Sequence, residues 1–201
     1  ETDLLAFPSG SKILIDGLEF STGGGGTNTA VALSRLGHNV AFLGKLGQGT
    51  NSDFIHKNLV KEKIDLLCAH GKGNAGYSVI LDTLEHDRTI LAYKGINDDL
   101  RNQDVPYKKL KTKWFYFSAM MEESFRTLEK LAKFAQQNKI KIVFNPSTYL
   151  AERGFQHLKN ILASTELLVL NREEACLLAG KGPIESLLLK LKGFGPKIAV
   201  V

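Results

Sequence analysis

The stretch STGGGGTNTAVALSRLG, from Ser21 to Gly37, decides the fold, because four consecutive glycines lead directly into a run of helix-forming residues. We predict a helix over 27–36 that Gly37 ends. A glycine run costs conformational entropy and persists where the backbone turns tightly or a ligand comes close. The amino end of a helix binds oxygen-rich ligands, and Asn28 in its first turn can donate and accept hydrogen bonds, which suits sugar hydroxyl groups. A flexible connection without any ligand is the alternative.

The glycines match neither of two known nucleotide-binding motifs. The dinucleotide-binding motif requires a third glycine where Asn28 stands and an acidic residue about twenty positions later, where the sequence reads FLGKLG. The phosphate-binding loop requires Ser or Thr after its Gly-Lys pair, but Leu46 follows Gly44 and Lys45. Both motifs fail, and the failure of the dinucleotide-binding motif disfavours a Rossmann-type oxidoreductase.

The second half of the chain alternates strand-like and helix-like segments. We predict strands at 114–118, 139–145, 165–171 and 197–201, and helices at 122–138, 154–164, 172–180 and 183–193. The helix over 122–138 places Phe125, Leu128, Leu131, Ala132 and Ala135 on one apolar face. Strands separated by helices indicate βαβ units and a mostly parallel sheet. The predicted fold class is α/β, a doubly wound sheet flanked by helices.

The first half adds strands that no helix separates. We predict a strand at 39–47, a helix at 51–63 capped by Asn51 or Ser52, and four further strands at 11–17, 18–22, 76–82 and 88–95. The last two read as a hairpin whose turn lies near Leu84 to Asp87. These segments divide the chain into a small β lid, 1–26 with 74–97, and an α/β core, 27–73 with 98–201.

Three apolar strands of the second half end in small polar residues, Ser118, Asn145 and Asn171. The carboxyl ends of parallel strands share one edge of the sheet, where open α/β proteins bind ligands. Asn171 and Glu174 also form Asn-x-x-Glu at a strand-to-helix junction, where a carboxylate can hold Mg²⁺ through water. Ordinary turn chemistry and the preference of glutamate for a first helical turn are the alternative explanations.

Composition excludes several classes of protein. The 201 residues are 43% hydrophobic with a net charge of +5, and no run is long and apolar enough for a transmembrane helix, so we expect no membrane association. The basic stretch Tyr107 to Lys113 precedes a strand, which disfavours nucleic-acid binding. Cys68 and Cys176 are isolated, so we predict two small buried thiols and a cytoplasmic location. The five histidines are predicted to be structural or solvated.

These segments, taken in order, resemble the ribokinase-like sugar kinases, also called the phosphofructokinase-B family. GGGGTNTAVALSRLG is similar to that family's amino-terminal signature, and VAFLGKLGQGTNSDFIHKNLVKEKID to its next strand, turn and helix. RTILAYKGIND resembles the lid strand leading to Gly-x-Asn. VFNPS stands where the family usually has Asp-Pro-Asn, and LNREEACLLAG is similar to its Asn-x-x-Glu segment.

The resemblance implies a phosphotransferase that moves the γ-phosphoryl group of ATP to a hydroxyl group of a sugar or nucleoside. It implies ATP and Mg²⁺ as cofactors, leaves a monovalent cation open as a third, and makes a homodimer through the lid an expectation. The implied acceptor-binding residues are Asp3, Gly24, Gly25, Asn28, Asn97 and Ser118. The implied nucleotide and phosphate residues are Asn145, Asn171 and Glu174, with Glu174 also contacting Mg²⁺ through water.

Two departures from the family pattern bear on activity. Asn145 replaces the usual aspartate of Asp-Pro-Asn. The second family signature, a Gly-Ala-Gly-Asp loop that carries the catalytic base and the anion hole, is expected after Val201, and the family's first strand before Glu1. We therefore expect these residues alone to be catalytically incompetent and their parent protein to be a kinase.

Two other functions stay open at this point. A nucleoside kinase of the same family would need an apolar slot for its base, which Phe20 or Tyr77 could supply. A non-catalytic module that binds a sugar or a nucleotide would keep the fold without the chemistry.

Overall fold

The computed structural model describes residues 5–82 and 88–201, in which helices alternate with short strands. The helices are α1 (Gly25–Arg35), α2 (Thr50–Lys61), α3 (Glu122–Gln137), α4 (Ser147–Ala151), α5 (Gly154–Leu162), α6 (Arg172–Ala179) and α7 (Ile184–Gly193). The strands are β1 (Ala41–Phe42), β2 (Lys45–Leu46), β3 (Asp65–Leu66), β4 (Ala69–His70), β5 (Tyr77–Asp82), β6 (Arg88–Tyr93), β7 (Trp114–Phe117), β8 (Lys141–Phe144), β9 (Leu167–Val169) and β10 (Ile198–Val200). Three short 3₁₀ helices are Gly95–Asp98, Asn102–Asp104 and Tyr107–Lys109.

The largest sheet has four parallel strands in the order β10-β9-β8-β7. Each strand pairs with the next one along the chain, and helices make every connection. Right-handed crossovers that always step in one direction place their helices on one face of a sheet. The contacts of α3 with α5, of α5 with α6 and of α6 with α7 agree with such a layer. The predicted α/β fold class and parallel sheet are thus confirmed.

The main core lies between this sheet and its helices. In the sheet, Phe117 is paired with Phe144, and Phe144 with Leu168, and all three side chains are buried. All five residues predicted for the apolar face of α3 are buried as well: Phe125, Leu128, Leu131, Ala132 and Ala135. The 3.6-residue period of that helix therefore specified its packed face correctly.

A smaller unit is built from α1, α2 and two parallel strand pairs, β1 with β3 and β2 with β4. Its buried core consists of Ala30, Leu59 and Ile64. The single strand predicted at 39–47 is divided into β1 and β2. The division falls at 43–44, where a side chain on Gly44 would lie 2.8 Å from the ring of Phe42.

The cap predicted for α2 is wrong. The helix begins at Thr50, after Gly49, and neither Asn51 nor Ser52 caps it. Gly49 has a φ of +90°, a conformation that side-chain-bearing residues rarely adopt, and it turns the chain into the helix without a side-chain bond. The conformation of Gly49, and not a side-chain hydrogen bond from Asn51 or Ser52, therefore starts α2.

The predicted hairpin is confirmed in its strands. β5 and β6 pair antiparallel, with Tyr77 opposite Tyr93 and Val79 opposite Leu91. Every side chain of β6 is exposed. Such exposure is unusual for the apolar residues among them, Ile90 and Leu91. The turn predicted near Leu84 to Asp87 lies outside the described residues.

The two strands predicted at 11–17 and 18–22 are wrong. Residues 5–24 contain no strand, and residues 25–26, also assigned to the lid, belong to α1. Leu14 is 97% exposed and Leu18 is 72% exposed. Alternating apolar residues can line one face of a sheet, but a strand forms only where a neighbouring strand pairs with its backbone N–H and carbonyl groups. Neither segment has such a partner among the described residues.

Several smaller expectations changed in detail. The helix α4 was missed, because it is a single turn that starts at Ser147 with a positive φ of 56°. The predicted strand at 114–118 is only partly buried: Trp114 at its start is 45% exposed, whereas Phe117 near its end is buried. Cys68 and Cys176 are free thiols and half-buried rather than fully buried. Burial raises the pKa of the Cys68 thiol to about 11, which keeps it protonated at neutral pH.

Within the described ranges, 5–82 and 88–201, none of the helices combines the length and the apolar character needed to cross a lipid bilayer.

Two leucines of α7 test where the core lies. Leu187 is fully buried and Leu189 is 74% exposed. We expect Leu187→Ala to lower the free energy of unfolding by about 2–5 kcal/mol, because it leaves a cavity. Leu189→Ala, the matched control on the same helix, should change it by less than about 0.5 kcal/mol. Urea denaturation measures both, and equal losses would contradict this placement of the core.

Candidate functional site

The four consecutive glycines at 23–26, which we call the glycine bend, leave the amino end of α1 accessible to solvent. Gly24 precedes the helix with a φ of +90°, and the Asn28 N–H donates to the Gly24 carbonyl at 2.9 Å. The N–H groups ahead of Asn28 have no carbonyl of the helix to bond. Gly24, Gly25 and Asn28 are exposed, and the Asn28 side chain makes no hydrogen bond within 5–82 and 88–201. The bend therefore presents donors and one amide to any hydroxylated or anionic solute.

The first turn of α1 packs closely against the end of β7. A Cβ atom on Gly25 would lie 2.7 Å from the Ser118 Oγ and 3.9 Å from the Tyr116 hydroxyl. A Cβ atom on Gly26 would touch the Phe42 ring at 3.5 Å. The absence of side chains is thus what lets the helix end approach the sheet. The structure thus brings together Gly25 and Ser118, two of the residues predicted to bind the acceptor.

Asn145 follows β8 at the same edge of the sheet as Ser118. Its backbone N–H donates to the Phe117 carbonyl at 3.0 Å, and its side-chain Nδ2 donates to the Val169 carbonyl at 2.8 Å. The side chain therefore joins the carboxyl ends of two neighbouring strands. This bond gives Asn145 a structural role whether or not a ligand binds there.

Asn171 and Glu174 form a reciprocal cap at the start of α6. The Asn171 Oδ1 accepts from the Glu174 N–H at 2.7 Å, and the Glu174 Oε2 accepts from the Asn171 N–H at 3.0 Å. Glu174 is 7% exposed. A capping box satisfies two helix donors that would otherwise lack partners. In the part of the chain that the structure describes, no three His, Cys, Asp or Glu side chains gather to hold a metal ion.

Asn97 lies at the base of the β5–β6 hairpin. Its Oδ1 accepts from the Gly76 N–H at 3.3 Å, and a Cβ atom on Gly76 would collide with the Asn97 amide. Asn97 thus connects the two chain segments that enter and leave the hairpin, and no hydrogen bond of the described chain links it to α1. The remaining predicted site residue, Asp3, lies outside the described residues.

Sequence reasoning missed a cluster of charges around Lys45. Its ammonium group donates to the Asp99 carbonyl at 2.7 Å and to the Asp99 and Asp104 carboxylates at 2.9 Å each. The Lys45 side chain is 8% exposed, and all three of its donors have acceptors. Its position between Gly44 and Gly47 was a weak signal, since both glycines mark close backbone packing rather than charge.

The pKa shifts of Lys45, Asp99 and Asp104 all favour the charged form of the group. Hydrogen bonds from Lys45 and Arg101 lower the pKa of Asp99. Burial works against ionisation of Asp104, but the Arg101 N–H and Lys45 together outweigh it and lower its pKa. Burial likewise opposes the charge on Lys45, and the two carboxylates overcome it and raise its pKa.

Comparison with known sequences identifies a family and a curated relative. The family model described as pfkB family carbohydrate kinase matches residues 1–201. An uncharacterised sugar kinase of Archaeoglobus fulgidus is 24% identical over 150 residues, which cover 72% of this chain and 58% of that protein. The chain therefore spans less than two thirds of the length of that relative.

Comparison with solved structures agrees with the fold. A ribokinase from Giardia lamblia superposes with a TM-score of 0.76 at 23% identity, covering 94% of this chain and 61% of that one. An adenosine kinase from Sinorhizobium meliloti gives 0.77 at 18% identity, covering 89% and 57%. These likenesses confirm the predicted ribokinase-like fold.

The contact between Gly25 and Ser118 is testable by a double-mutant cycle. Alanine in place of a helical glycine normally stabilises by about 0.5–1 kcal/mol. We expect Gly25→Ala to lack that gain, because its Cβ meets the Ser118 Oγ, and to recover it in a Ser118→Ala background. Urea denaturation should give a coupling free energy of about 1 kcal/mol between the two substitutions. Gly193→Ala, whose Cβ meets nothing within 4 Å, should show no coupling with Ser118→Ala.

The Lys45 cluster predicts a dependence of stability on pH. Because the pKa values of Asp99 and Asp104 are lowered, their contribution is complete above the unfolded pKa of about 4 and is lost as the pH falls through the folded values. Lys45→Met should lower the free energy of unfolding at pH 7 and make its decline between about pH 5 and pH 3 shallower. Lys57→Met, at an exposed position, should change neither quantity. An unaltered acid slope in Lys45→Met would contradict the analysis.

Proposed function

Because the chain belongs to the pfkB family of carbohydrate kinases, we propose that its protein transfers the γ-phosphoryl group of ATP to a hydroxyl group of a sugar. The observation that carries this proposal is the open amino end of α1, packed against Ser118 at the carboxyl edge of the parallel sheet. Ligands of open α/β sheets bind at that edge.

The acceptor sugar would be held at the glycine bend. Exposed N–H groups at Gly25 and nearby can donate to sugar oxygens, while the Asn28 amide can both donate and accept. The Ser118 hydroxyl, half-buried under Gly25, would complete the pocket floor. Asp3 and Asn97 belong to the same proposal. Several such bonds orient one hydroxyl group toward the phosphate, and phosphoryl transfer depends chiefly on positioning.

The phosphate end would lie farther along the same edge, at Asn145, Asn171 and Glu174. Asn171 is exposed, whereas the capping box uses one carboxylate oxygen of the buried Glu174. A single carboxylate in this setting suits a contact with Mg²⁺ through water, which is how Mg²⁺ is often held beside phosphates. When bound, Mg²⁺ would neutralise phosphate charge.

The β5–β6 hairpin would act as a lid over the acceptor. Its apolar side chains are exposed on both faces, with Val79 opposite Leu91 on one and Ile80 opposite Ile90 on the other. Such residues are covered in most stable proteins. Their exposure supports a lid that closes on a ligand and a homodimer through the same hairpin.

A nucleoside acceptor is the second candidate. Phe20 is 62% exposed and Tyr77 is 40% exposed, so either ring is available to stack on a nucleobase. A module that binds a sugar without phosphorylating it is the third, and turnover separates it from both kinases.

The test incubates the full-length protein with Mg-ATP and a panel of sugars and nucleosides, and ADP release is the readout. We expect a sugar to be phosphorylated, and Asn28→Ala to lower kcat/KM for it about 10- to 100-fold, as the loss of one or two hydrogen bonds predicts. Asn51→Ala is the matched control, since Asn51 is also exposed in a first helical turn after a glycine with a φ of +90°.

Three outcomes would count against the proposal. Turnover with nucleosides alone would favour the second candidate. Stabilisation by a sugar in a thermal-shift assay without ADP release would favour the binding module. Equal activity of Asn28→Ala and the unmodified protein would remove the glycine bend from the acceptor site.

A further inference from the structure

Ser124, the third residue of α3, is completely buried and uses its hydroxyl group in two hydrogen bonds. The Oγ donates to the Asn97 carbonyl at 2.7 Å and accepts from the Leu100 N–H at 2.7 Å. It thereby spans the end of the 3₁₀ helix Gly95–Asp98 and attaches it to α3. The apolar face of α3 lies in the main core, so this attachment is to a fixed part of the protein.

The same 3₁₀ helix follows β6 along the chain and is hydrogen-bonded to the segment that enters β5. The Ile96 N–H donates to the Asn74 carbonyl at 3.0 Å, and the Asn97 side chain accepts from the Gly76 N–H. Gly95 has a φ of +54°, and a Cβ atom there would lie 2.9 Å from the Tyr93 ring. We call residues 74–76 and 94–97 the hairpin stem. The stem segments meet at the turn that Ser124 fixes.

We propose that Ser124 is a positioning residue that sets the orientation of the hairpin stem, and through it the closure of β5–β6 over the acceptor. This inference rests on the proposed kinase function, in which the hairpin is the lid. Ser124 contacts no ligand; it acts through the Asn97 peptide, whose side chain clasps Gly76. Without the hydroxyl group, the Asn97 carbonyl and the Leu100 N–H lose their shared partner, and the stem can rotate against α3.

The chain offers a matched control one turn further along the same helix. Thr127 is also completely buried, but its hydroxyl group has no hydrogen-bond partner in the described structure. Thr127→Val keeps the shape and removes that hydroxyl group. If burial in α3 alone mattered, Ser124→Ala and Thr127→Val would behave alike.

The experiment compares Ser124→Ala, Ser124→Thr and Thr127→Val in the full-length protein by two measurements. Hydrogen exchange of amides in 74–76 and 94–100 should accelerate about tenfold in Ser124→Ala, while exchange in β7 and β8 stays unchanged. The KM for the acceptor should rise about five- to tenfold, with the KM for ATP within about twofold of normal. Ser124→Thr restores the hydroxyl group and should reverse both effects, and Thr127→Val should show neither.

Unchanged exchange at the stem in Ser124→Ala would overturn the proposal, as would faster exchange throughout the sheet. A rise in the KM for ATP equal to that for the acceptor would also overturn it, because it would indicate a general loss of structure. If the unmodified protein phosphorylates no acceptor, the proposed function fails. In that case the exchange measurement by itself still confirms or overturns the role of Ser124 at the stem.

Discussion

Parallel hydrogen bonding among β7, β8, β9 and β10 is the constraint on which the rest of the structure depends. Parallel strands require helical crossovers, which cover the sheet and create the main core. They also bring every carboxyl end to one edge. Ser118, Asn145 and Asn171 lie along that edge because of strand direction, although the first two are 27 positions apart in the chain and the last two are 26 positions apart. The candidate site is therefore a consequence of the sheet.

The polar groups at this edge differ in how far the fold itself uses them. The Asn145 amide bonds a strand carbonyl, and Asn171 and Glu174 cap α6 reciprocally. At the glycine bend, by contrast, Asn28 is exposed and the first N–H groups of α1 have no acceptor within the helix. Free donors and acceptors are what a sugar requires, so the bend is the part of the edge best prepared for a ligand. The proposed phosphate end consists of groups that already stabilise the backbone.

Two polar contacts hold the region between the sheet and the hairpin. Lys45 connects β2 to the segment that carries Asp99 and Asp104. Ser124 connects α3 to the 3₁₀ helix Gly95–Asp98, which precedes that segment. Both side chains are buried, and every hydrogen-bond donor of their ammonium and hydroxyl groups has an acceptor. Such buried polar contacts are rigid and costly to break. A hairpin with exposed apolar faces is thus mounted on a firmly held base. That combination supports the proposed role of the hairpin as a lid.

The sequence by itself determined the order of elements and much of the candidate site. The 3.6-residue period of α3, the alternation of helices and strands, and the glycine run before Asn28 are local patterns, and local patterns follow from backbone propensity and side-chain spacing. Tertiary structure alone decided that residues 11–22 form no strand, because a strand needs a partner that alternation cannot supply. It also decided that Gly25 meets Ser118 and that Lys45 meets Asp99. These groups are distant in the chain, and their contacts arise only when the sheet and its helices pack.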